Sequence, residues 1–435
     1  MPYDIVIGRD PADKEKFGDK GLIYLGKGYV KMGNYTSLSN KIWMDIARSH
    51  IILIAGKRGS GKSYSIGVIA EELSNLPQET AKNIAPLIFD TMGIFWTMKY
   101  ENEKDSGLLK TWDLKTMNLP VKIFVPFGKI NEYKDKNIPF DETLAIEASE
   151  LGAEDWLSLF NLEIISPVGV LLERVISSLK DIDNQFSILD VIKKIESDPI
   201  TNSDTKDSAV ALFTAAESWG IFAKEKGTKI TDLINAGTTT VLDISAYSSI
   251  SIFNVRALII SLIIRKLFIS RLDARKKEEL ESISHGKEYL SFKSTRDQPL
   301  IWIFLDEAHE FLQREGKTPA TDALVQILRE GRQPGISLVL ATQQPGQIHK
   351  DVMTQSDIVI AHKLTAKTDL DALNEIMQSY IPESIKKQMD SLPSLKGSAI
   401  ILDDNSERIY PVKIRPRFTW HGGEAPTAVK SERGI

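Results

Sequence analysis

The sequence predicts an α/β protein with a mostly parallel central sheet, and three of its features indicate this fold class. Short uninterrupted apolar runs recur along the chain, as they do in strands that are buried on both faces of a sheet. Segments with apolar residues at helical spacing separate these runs, so strands and helices alternate. A glycine-rich turn also connects the first strongly apolar run directly to a helix.

The chain begins with a short β-rich segment, residues 1–45. Within it, IYLGKGYVKMG alternates apolar and polar residues between glycines, which is typical of hairpin strands. The strands of the core are expected within residues 51–55, 85–95, 121–128, 238–245, 300–308, 336–343 and 357–364. One long helix is predicted over 254–280, followed by an exposed polar loop over 281–299.

A helical insertion is predicted to interrupt the α/β core. The core is assigned to residues 46–138 and 236–410, and the insertion to residues 139–235. DETLAIEASEL, SPVGVLLERVISSLK, SILDVIKKIES and KDSAVALFTAAESWGIFA each have apolar residues at the i, i+3, i+4 and i+7 spacing of a helix. The remaining residues, 411–435, are expected to form a C-terminal arm.

A phosphate-binding loop follows the first core strand, because GKRGSGKS matches the full G-x-x-x-x-G-K-[ST] pattern. Its glycines allow a tight turn in which successive N–H groups converge on phosphate oxygens. Lys62 is predicted to reach the β- and γ-phosphates of ATP, and Ser63 to offer its hydroxyl to Mg²⁺. The residues predicted to bind the nucleotide are Gly56, Lys57, Arg58, Gly59, Ser60, Gly61, Lys62, Ser63 and Tyr64. A glycine-rich turn without a ligand is the disfavoured alternative.

Two later strand ends are predicted to complete an ATP-hydrolysing site. LIWIFLDEAHEF delivers Asp306 and Glu307 to the carboxyl end of a strand, where ligands bind in open α/β sheets. Asp306 is predicted to hold Mg²⁺, and Glu307 to orient or deprotonate the attacking water. A helix N-terminus would also explain this pair. Gln343, at the tip of the next strand, is predicted to hydrogen-bond the γ-phosphate or the water, the alternative being a polar strand end.

LREGRQPG places two candidate arginines, Arg329 and Arg332, between a helix and the next strand. An arginine fork suits the negative charge that develops on a transferring phosphoryl group, and Arg332 is the preferred candidate. The local sequence leaves open whether either arginine acts in its own subunit, acts in a neighbour, or lies at a solvated helix end. His309 is expected to be structural, because H-x-x-x-H and H-E-x-x-H patterns are absent.

The composition narrows the possible function classes. With 54 basic and 59 acidic residues the net charge is −5, so the chain is not broadly basic like a passive nucleic-acid binder. No cysteine occurs, which excludes disulfides and cysteine-based sites and fits a cytoplasmic location. The most hydrophobic segment, 257–269, contains Arg265 and Lys266, so a buried helix is expected rather than a membrane span.

The order of the motifs resembles the HerA branch of the HerA/FtsK superfamily, whose members are RecA-like, ring-forming, DNA-translocating ATPases. The resemblance covers residues 45–423 and rests on RSHIILIAGKRGSGKS, TTTVLDIS, WIFLDEAHEF, LREGRQPGISLVLATQQP, QSDIVIAHKLTAKTDLDAL and KIRPRFTWHGG. It implies a RecA-like P-loop ATPase core, a homohexameric ring and double-stranded DNA as a partner. The combined order is specific, whereas only the phosphate loop would be convincing alone.

The resemblance also implies roles for individual residues. Lys62 and Ser63 match the family's Walker A residues. Asp306 and Glu307 match its Walker B pair, and Gln343 matches its γ-phosphate sensor.

Three arginines resemble family residues that act on a neighbouring subunit. Arg332 falls at the position of the family's trans-acting arginine finger. Arg415 and Arg417 lie in a segment that resembles the family's C-terminal arm, so the resemblance implies that they approach a nucleotide in trans.

The sequence departs from the family pattern at two places. Only 55 residues precede Gly56, so the family's N-terminal β-barrel is expected to be absent or truncated. This puts the usual partnership with a NurA-type nuclease in doubt. Ser49 stands before His50, where the family often has an arginine.

The leading functional hypothesis is an ATP-driven double-stranded DNA translocase or helicase that forms a hexamer and serves a nuclease or defence effector. One alternative is a nucleotide-dependent oligomeric scaffold that does not translocate DNA. The other is a secretion or conjugation ATPase of the VirB4/VirD4 type, for which a membrane anchor would be the expected discriminator.

Overall fold

The computed structural model describes residues 3–32, 35–182, 185–223, 226–247, 253–377, 385–393, 395–424 and 428. Its centre is a sheet of 13 strands among these residues. The strands are β1 (Ile5–Ile7), β2 (Leu22–Met32), β3 (Tyr35–Asp45), β4 (Ile51–Ala55), β5 (Ile84–Asp90), β6 (Val121–Pro126), β7 (Glu142–Leu144), β8 (Thr239–Asp243), β9 (Leu300–Leu305), β10 (Ile336–Thr342), β11 (Ile358–His362), β12 (Ser398–Asp403) and β13 (Arg408–Ile414).

Helices lie between most of these strands. They are α1 (Pro11–Phe17), α2 (Lys62–Ser74), α3 (Gln78–Ala81), α4 (Ser106–Thr111), α5 (Ile130–Asp135), α6 (Ala153–Phe160), α7 (Pro167–Ile182), α8 (Ile188–Glu196), α9 (Ser203–Ser218), α10 (Ile230–Leu233), α11 (Val255–His285), α12 (Tyr289–Phe292), α13 (Thr321–Glu330), α14 (Lys350–Gln355), α15 (Lys367–Met377) and α16 (Ile385–Asp390). The end of the predicted C-terminal arm, 425–427 and 429–435, lies outside the described residues.

The sheet is mostly parallel, which confirms the predicted fold class. Its strand order is β1-β3-β2-β13-β12-β11-β4-β10-β9-β5-β8-β6-β7. The consecutive neighbours from β11 to β7 run parallel, whereas β11, β12, β13, β2 and β3 pair antiparallel in that order. The predicted N-terminal hairpin is therefore present, and it joins the same sheet through β13.

The sheet separates two hydrophobic cores, because successive residues of a strand point to opposite faces. In β4, Ile51 and Leu53 belong to one core, and Ile52 and Ile54 belong to the other. The first core also contains buried residues of α6 to α9, α11 and α13, and the second contains those of α2, β2 and β3. Both faces of β4 are thus covered, which explains its uninterrupted apolar sequence.

All seven predicted core strands are present, but two other predictions were wrong in part. Residues 141–151 were expected to be helical, yet β7 pairs with β6 there and a short 3-10 turn follows. Leu144, Ala148 and Leu151 have helical spacing, but strand pairing outweighed it. The predicted loop 281–299 begins with the end of α11, which continues until Gly286 adopts a left-handed backbone with φ 60°, and it also contains α12.

The predicted trans role of Arg415 and Arg417 is wrong, because both side chains are buried inside their own subunit. Their side-chain exposures are 0% and 1%. Arg415 Nη1 lies 3.1 Å from Glu71 Oε2, and Arg417 Nε lies 3.0 Å from Glu71 Oε1. The backbone N–H groups of Phe418 and Thr419 also donate to this carboxylate, each at 3.0 Å. Glu71 therefore fixes the segment after β13 onto α2.

We expect Glu71→Gln to destabilise the fold strongly. Burial alone raises the pKa of Glu71, but Arg417 and Arg415 outweigh burial and lower it, so the carboxylate is charged in the folded protein. Replacing it leaves buried guanidinium charge without its main counterion, which costs about 3–5 kcal/mol in comparable buried pairs. The measurement is the urea-unfolding midpoint at neutral pH.

A matched control for this change is Glu173→Gln, on the exposed surface of α7. An exposed substitution of this kind changes the free energy of unfolding by at most about 0.5 kcal/mol. Equal unfolding midpoints for the two variants would show that the Glu71 cluster does not stabilise the fold.

Candidate active site

Three of the four predicted catalytic residues, Lys62, Glu307 and Gln343, emerge at one edge of the sheet because three parallel strands lie side by side. The order β4-β10-β9 is continuous, with Leu340 paired to both Leu53 and Leu305. The phosphate loop leaves the carboxyl end of β4, Asp306 and Glu307 follow β9, and Gln343 follows β10. Strands of similar length and direction thus bring segments distant in sequence to a common edge.

The backbone of the phosphate loop adopts conformations that require glycine at three positions. Gly59 and Gly61 have φ values of 73° and 118°, in the left-handed region that disfavours other residues. At Gly56, a Cβ atom would lie 2.5 Å from Ser60 Oγ and 2.7 Å from His362 Cβ. α2 begins at Lys62 without a side-chain cap, so its first N–H groups remain able to bind an anion.

Lys62 is the first residue of α2 and is 5% exposed. Its Nζ atom donates to the carbonyl oxygen of Lys57 at 3.4 Å. Burial lowers the pKa of Lys62, whereas the nearby carboxylates of Glu307 and Asp306 raise it. A phosphate group would add negative charge next to this buried ammonium group and stabilise its protonated form.

Ser63 and Asp306, the two residues predicted to hold Mg²⁺, are in direct contact. Ser63 Oγ donates to Asp306 Oδ2 at 2.5 Å. Burial raises the pKa of Asp306, and the hydrogen bond from Ser63 opposes that shift. One hydroxyl and one carboxylate form a hard-oxygen donor set that fits Mg²⁺, which usually takes its other ligands from phosphates and water. The described residues contain no cluster of three or more His, Cys, Asp or Glu side chains that would suit another metal.

Glu307 and Gln343 meet beside the phosphate loop. Glu307 has a left-handed backbone with φ 52°, and the Gln343 side-chain amide donates a hydrogen bond to its Oε1 atom. Its Oε2 atom is buried and makes no hydrogen bond within the described part of the chain. The nearest basic group is His309, whose Nδ1 atom lies 3.6 Å from Oε2. The carboxylate is thus held at one oxygen, while the other can accept a proton from water.

Two histidines support these strand ends. His309 Nδ1 lies 3.2 Å from Thr342 Oγ1 at the end of β10. His362, which the sequence did not identify, lies 2.9 Å through Nε2 from Ser65 Oγ and 3.2 Å through Nδ1 from the carbonyl oxygen of Ser398. Since the carbonyl accepts, Nδ1 carries the proton and Nε2 accepts from Ser65. Burial lowers the pKa of His362 to about 4, so this ring is neutral at physiological pH.

A second buried carboxylate pair follows the next two strands of the sheet. Asp90 ends β5 and Asp243 ends β8, and the two residues are paired in register. Burial, and then the charge of Asp243, raise the pKa of Asp90 to about 8. Asp90 also accepts hydrogen bonds from the backbone N–H groups of Met92, Gly93 and Phe95, at 3.1, 2.7 and 2.7 Å. The pair thus shapes the loop after β5.

Arg332 does not join these residues within its own subunit. It precedes β10, so it lies at the amino edge of the sheet, whereas the phosphate loop lies at the carboxyl edge. The seven residues of β10 separate the two edges by about 20 Å at the usual rise of a strand. The arginine side chain is 59% exposed, and its Nη2 atom lies 3.1 Å from Asp357 Oδ2. Any nucleotide that it contacts must therefore belong to another subunit.

Asp357 is the middle of a row of charged groups at this amino edge. His50 Nδ1 lies 2.7 Å from Asp357 Oδ2, and His50 Nε2 lies 3.2 Å from Asp45 Oδ2. Arg9 Nε donates to Asp45 Oδ1 at 2.7 Å. The row Arg9–Asp45–His50–Asp357–Arg332 alternates in charge when His50 is protonated. This row could not be predicted from the sequence, because most of its members are distant from one another along the chain.

None of the helices in the described ranges combines the length and the apolar character that crossing a membrane requires. The apolar segment 257–269 lies in α11 instead. Most of its side chains are buried against the sheet and the neighbouring helices.

Comparison with protein families and characterised proteins gives consistent matches over most of the chain. Residues 30–267 match the family described as Helicase HerA, central domain, and residues 284–408 match Helicase HerA-like C-terminal. Probable helicase MJ1565 of Methanocaldococcus jannaschii is 24% identical over 404 residues, covering 92% of this chain and 69% of that protein. DNA double-strand break repair helicase HerA of Saccharolobus solfataricus is 23% identical over 397 residues, covering 90% and 69%.

Solved structures share the fold. VirB4 of Thermoanaerobacter pseudethanolicus superposes with a TM-score of 0.53 at 13% identity, covering 92% of this chain and 97% of that chain. The bacterial conjugative coupling protein TrwBdeltaN70 gives a TM-score of 0.52 at 12% identity, covering 95% and 94%. At such low identity these likenesses concern the fold alone.

We expect Glu307→Gln to retain nucleotide binding and to lower kcat by a factor of about 10² or more, because a general base contributes this much. The neutral amide keeps the size of the side chain but cannot accept the proton. The measurements are steady-state hydrolysis of ATP and equilibrium binding of a fluorescent ATP analogue.

Glu315→Gln, on the exposed loop after Glu307, is the matched control and should keep the wild-type kcat. Lys62→Ala should instead lose nucleotide binding. A Glu307→Gln variant with the wild-type kcat would exclude Glu307 as the catalytic base.

The fold should lose stability as the pH rises from about 6.5 to about 9, because over this range unfolding releases the proton that His50 holds in the folded protein. Burial lowers the pKa of His50, but hydrogen bonds to Asp357 and Asp45 outweigh it and raise that pKa to about 9, from 6.5 in the unfolded chain. The stabilisation is therefore complete below the unfolded pKa and is lost as the pH passes the folded pKa. Each pH unit between the two values changes the free energy of unfolding by at most about 1.4 kcal/mol.

Urea-unfolding midpoints measured between these pH values test this dependence. His50→Gln has no titrating group at this position and should reduce the slope. An identical slope for the variant and the wild type would show that His50 is not the group responsible.

Proposed function

Since the chain belongs to the HerA helicase family and is an ATPase of that family, we propose that it hydrolyses ATP to move double-stranded DNA through a homohexameric ring. The observation that carries the proposal is the meeting of Glu307 with Gln343 beside the contact between Ser63 and Asp306. Together with the phosphate loop, these residues supply every part that hydrolysis needs except an arginine for the transition state.

Each residue of this site has a distinct part in the proposed reaction. The phosphate loop and Lys62 bind the triphosphate, and Ser63 and Asp306 would hold Mg²⁺, which supplies charge neutralisation at the phosphates when bound. Glu307 accepts the proton of the attacking water through the oxygen that makes no hydrogen bond. Gln343 holds the other oxygen and can exchange this bond for one to the γ-phosphate, so its position depends on the nucleotide.

The position of Arg332 supports a ring as the active form. Arg332 lies about 20 Å from its own phosphate loop by the length of β10, so it can contribute only to a neighbour's site. One edge of each subunit then meets the opposite edge of the next, a head-to-tail contact that closes into a ring if the rotation allows. In this arrangement the arginine that stabilises the developing charge comes from a neighbour, so hydrolysis requires assembly.

Double-stranded DNA is the proposed substrate of the motor. Similar proteins of Saccharolobus solfataricus and Sulfurisphaera tokodaii are named DNA double-strand break repair helicases. The net charge of −5 does not oppose this proposal, since a few basic residues per subunit are repeated around the ring. Binding should accordingly be sensitive to salt and largely independent of sequence. A nuclease or defence effector is the proposed partner that uses the translocated DNA.

The deciding experiment is ATP hydrolysis with and without linear double-stranded DNA, measured at several salt concentrations. DNA should stimulate turnover several-fold, and the stimulation should fall as salt rises because phosphate contacts release counterions. Glu307→Gln, run in parallel, should remove the stimulated rate as well as the basal rate.

Turnover that is indifferent to DNA would contradict the translocase proposal. Slow turnover that depends only on oligomer formation would then favour a nucleotide-dependent scaffold. Stimulation by a membrane complex instead of DNA would favour a secretion or conjugation ATPase.

A further inference from the structure

We propose that Asp357 and His50 are positioning residues that hold Arg332 for the nucleotide of the neighbouring subunit and tie it to the strand that carries the chain's own phosphate loop. This inference rests on the proposed function, because it takes Arg332 as the arginine that acts in trans. It adds to that function a physical link between two successive nucleotide sites of the ring.

Arg332 is anchored on one side and open on the other. Its Nη2 atom lies 3.1 Å from the carboxylate of Asp357, yet 59% of the arginine side chain is exposed, against 5% for Asp357. An exposed arginine normally samples many rotamers, and ordering it costs free energy when it binds. A single buried anchor reduces this cost while the remaining guanidinium N–H groups stay available for phosphate oxygens.

The anchor itself is fixed by the strand that leads to the phosphate loop. Asp357 Oδ1 accepts a hydrogen bond from the backbone N–H of Ile51 at 2.8 Å, and its Oδ2 atom lies 2.7 Å from His50 Nδ1. Ile51 is the first residue of β4, and Asp357 immediately precedes the neighbouring strand β11. The carboxylate that holds Arg332 is therefore itself held by the amino end of β4.

The far side of His50 completes the support. Its Nε2 atom faces Asp45 Oδ2 at 3.2 Å, and Asp45 pairs with the buried guanidinium group of Arg9. Another carboxylate, that of Asp403, lies close enough to Asp357 to contribute to the electrostatics of this cluster. A charged His50 thus lies between two carboxylates and keeps the side chain of Asp357 in one orientation.

One short strand consequently connects two nucleotide sites. The amino end of β4 fixes the arginine offered to the neighbour, and its carboxyl end carries the subunit's own phosphate loop. All five residues of β4 are fully buried between paired strands, and close packing of this kind transmits strain along the strand. A displacement of β4 when its own loop binds a nucleotide would shift the anchor at the opposite edge.

A second arginine nearby provides a matched control. Arg329 Nε lies 2.6 Å from Asp351 Oδ2, with side-chain exposures of 57% and 9%. The burial and the charge of this pair resemble those of Arg332 and Asp357. Asp351 lies in α14, however, and its hydrogen bonds to Arg329 and His349 do not connect it to β4.

The test begins with Asp357→Asn and Asp351→Asn in the full chain. For Asp357→Asn we expect kcat to fall about tenfold or more while the affinity for a fluorescent ATP analogue changes by less than about twofold, since the arginine acts in the transition state. Asp351→Asn should change both quantities by less than about twofold. Equal kcat values for the two variants would overturn the proposal.

Rings mixed from two variants distinguish a misplaced Arg332 from a subunit that does not fold. Glu307→Gln subunits lack the base but retain a well-placed Arg332, so mixing them with Asp357→Asn subunits should restore part of the activity. The parallel mixture of Glu307→Gln with Arg332→Ala subunits tests the trans action itself. If neither mixture recovers, the shared site of the proposed function is wrong. If only the Arg332→Ala mixture recovers, Asp357 acts within its own subunit and the positioning proposal is wrong.

A second variant, Asp357→Glu, tests the proposal even if Asp357→Asn does not fold. It keeps the charge next to His50 but changes where the carboxylate meets Arg332. Its kcat should lie below that of the wild type and should also recover on mixing. Wild-type turnover in Asp357→Glu would overturn the requirement for an exact placement of the arginine.

Discussion

The direction of the parallel strands is the constraint on which the other features of this protein depend. Because neighbouring core strands run the same way, their carboxyl ends form one edge of the sheet and their amino ends form the other. The phosphate loop, the Asp306–Glu307 pair and Gln343 all follow strands, so they converge without any local sequence relation. Arg332 and Asp357 precede strands, and the same geometry keeps them away from the first group.

The charged groups and their pKa values also differ between the two edges of the sheet. At the carboxyl edge, buried Lys62 lies close to two carboxylates, and burial shifts the pKa values of Lys62 and Asp306 towards their neutral forms. Under the proposed function, a bound phosphate and a cation would favour the charged forms of these side chains. At the amino edge, His50 is satisfied by Asp45 and Asp357, and its pKa is raised to about 9. One edge is thus prepared for a ligand, while the other is held by internal ion pairs.

The sequence was most informative where local chemistry specifies the structure. The phosphate loop and the predicted core strands could be identified because glycines and apolar runs have few alternative uses. The prediction was wrong for residues 141–151. Leu144, Ala148 and Leu151 have the spacing of a helix, but pairing with β6 makes the beginning of this segment a strand. It also misplaced Arg415 and Arg417, because a buried partner such as Glu71 leaves no local mark. His362 and the row around His50 were missed for the same reason, since their partners are distant in sequence.

The separation of the two edges has a consequence for any motor built from this subunit. An arginine that belonged to its own site would stabilise the transition state in a monomer, and hydrolysis would proceed without assembly. If Arg332 acts in trans as proposed, its place across the sheet makes each turnover depend on the contact with a neighbour. Anchoring it through Asp357 to β4 goes further, because the same strand carries the subunit's own phosphate loop. The state of one site can then alter the arginine that serves another, which is the physical requirement for sites that act in sequence rather than independently.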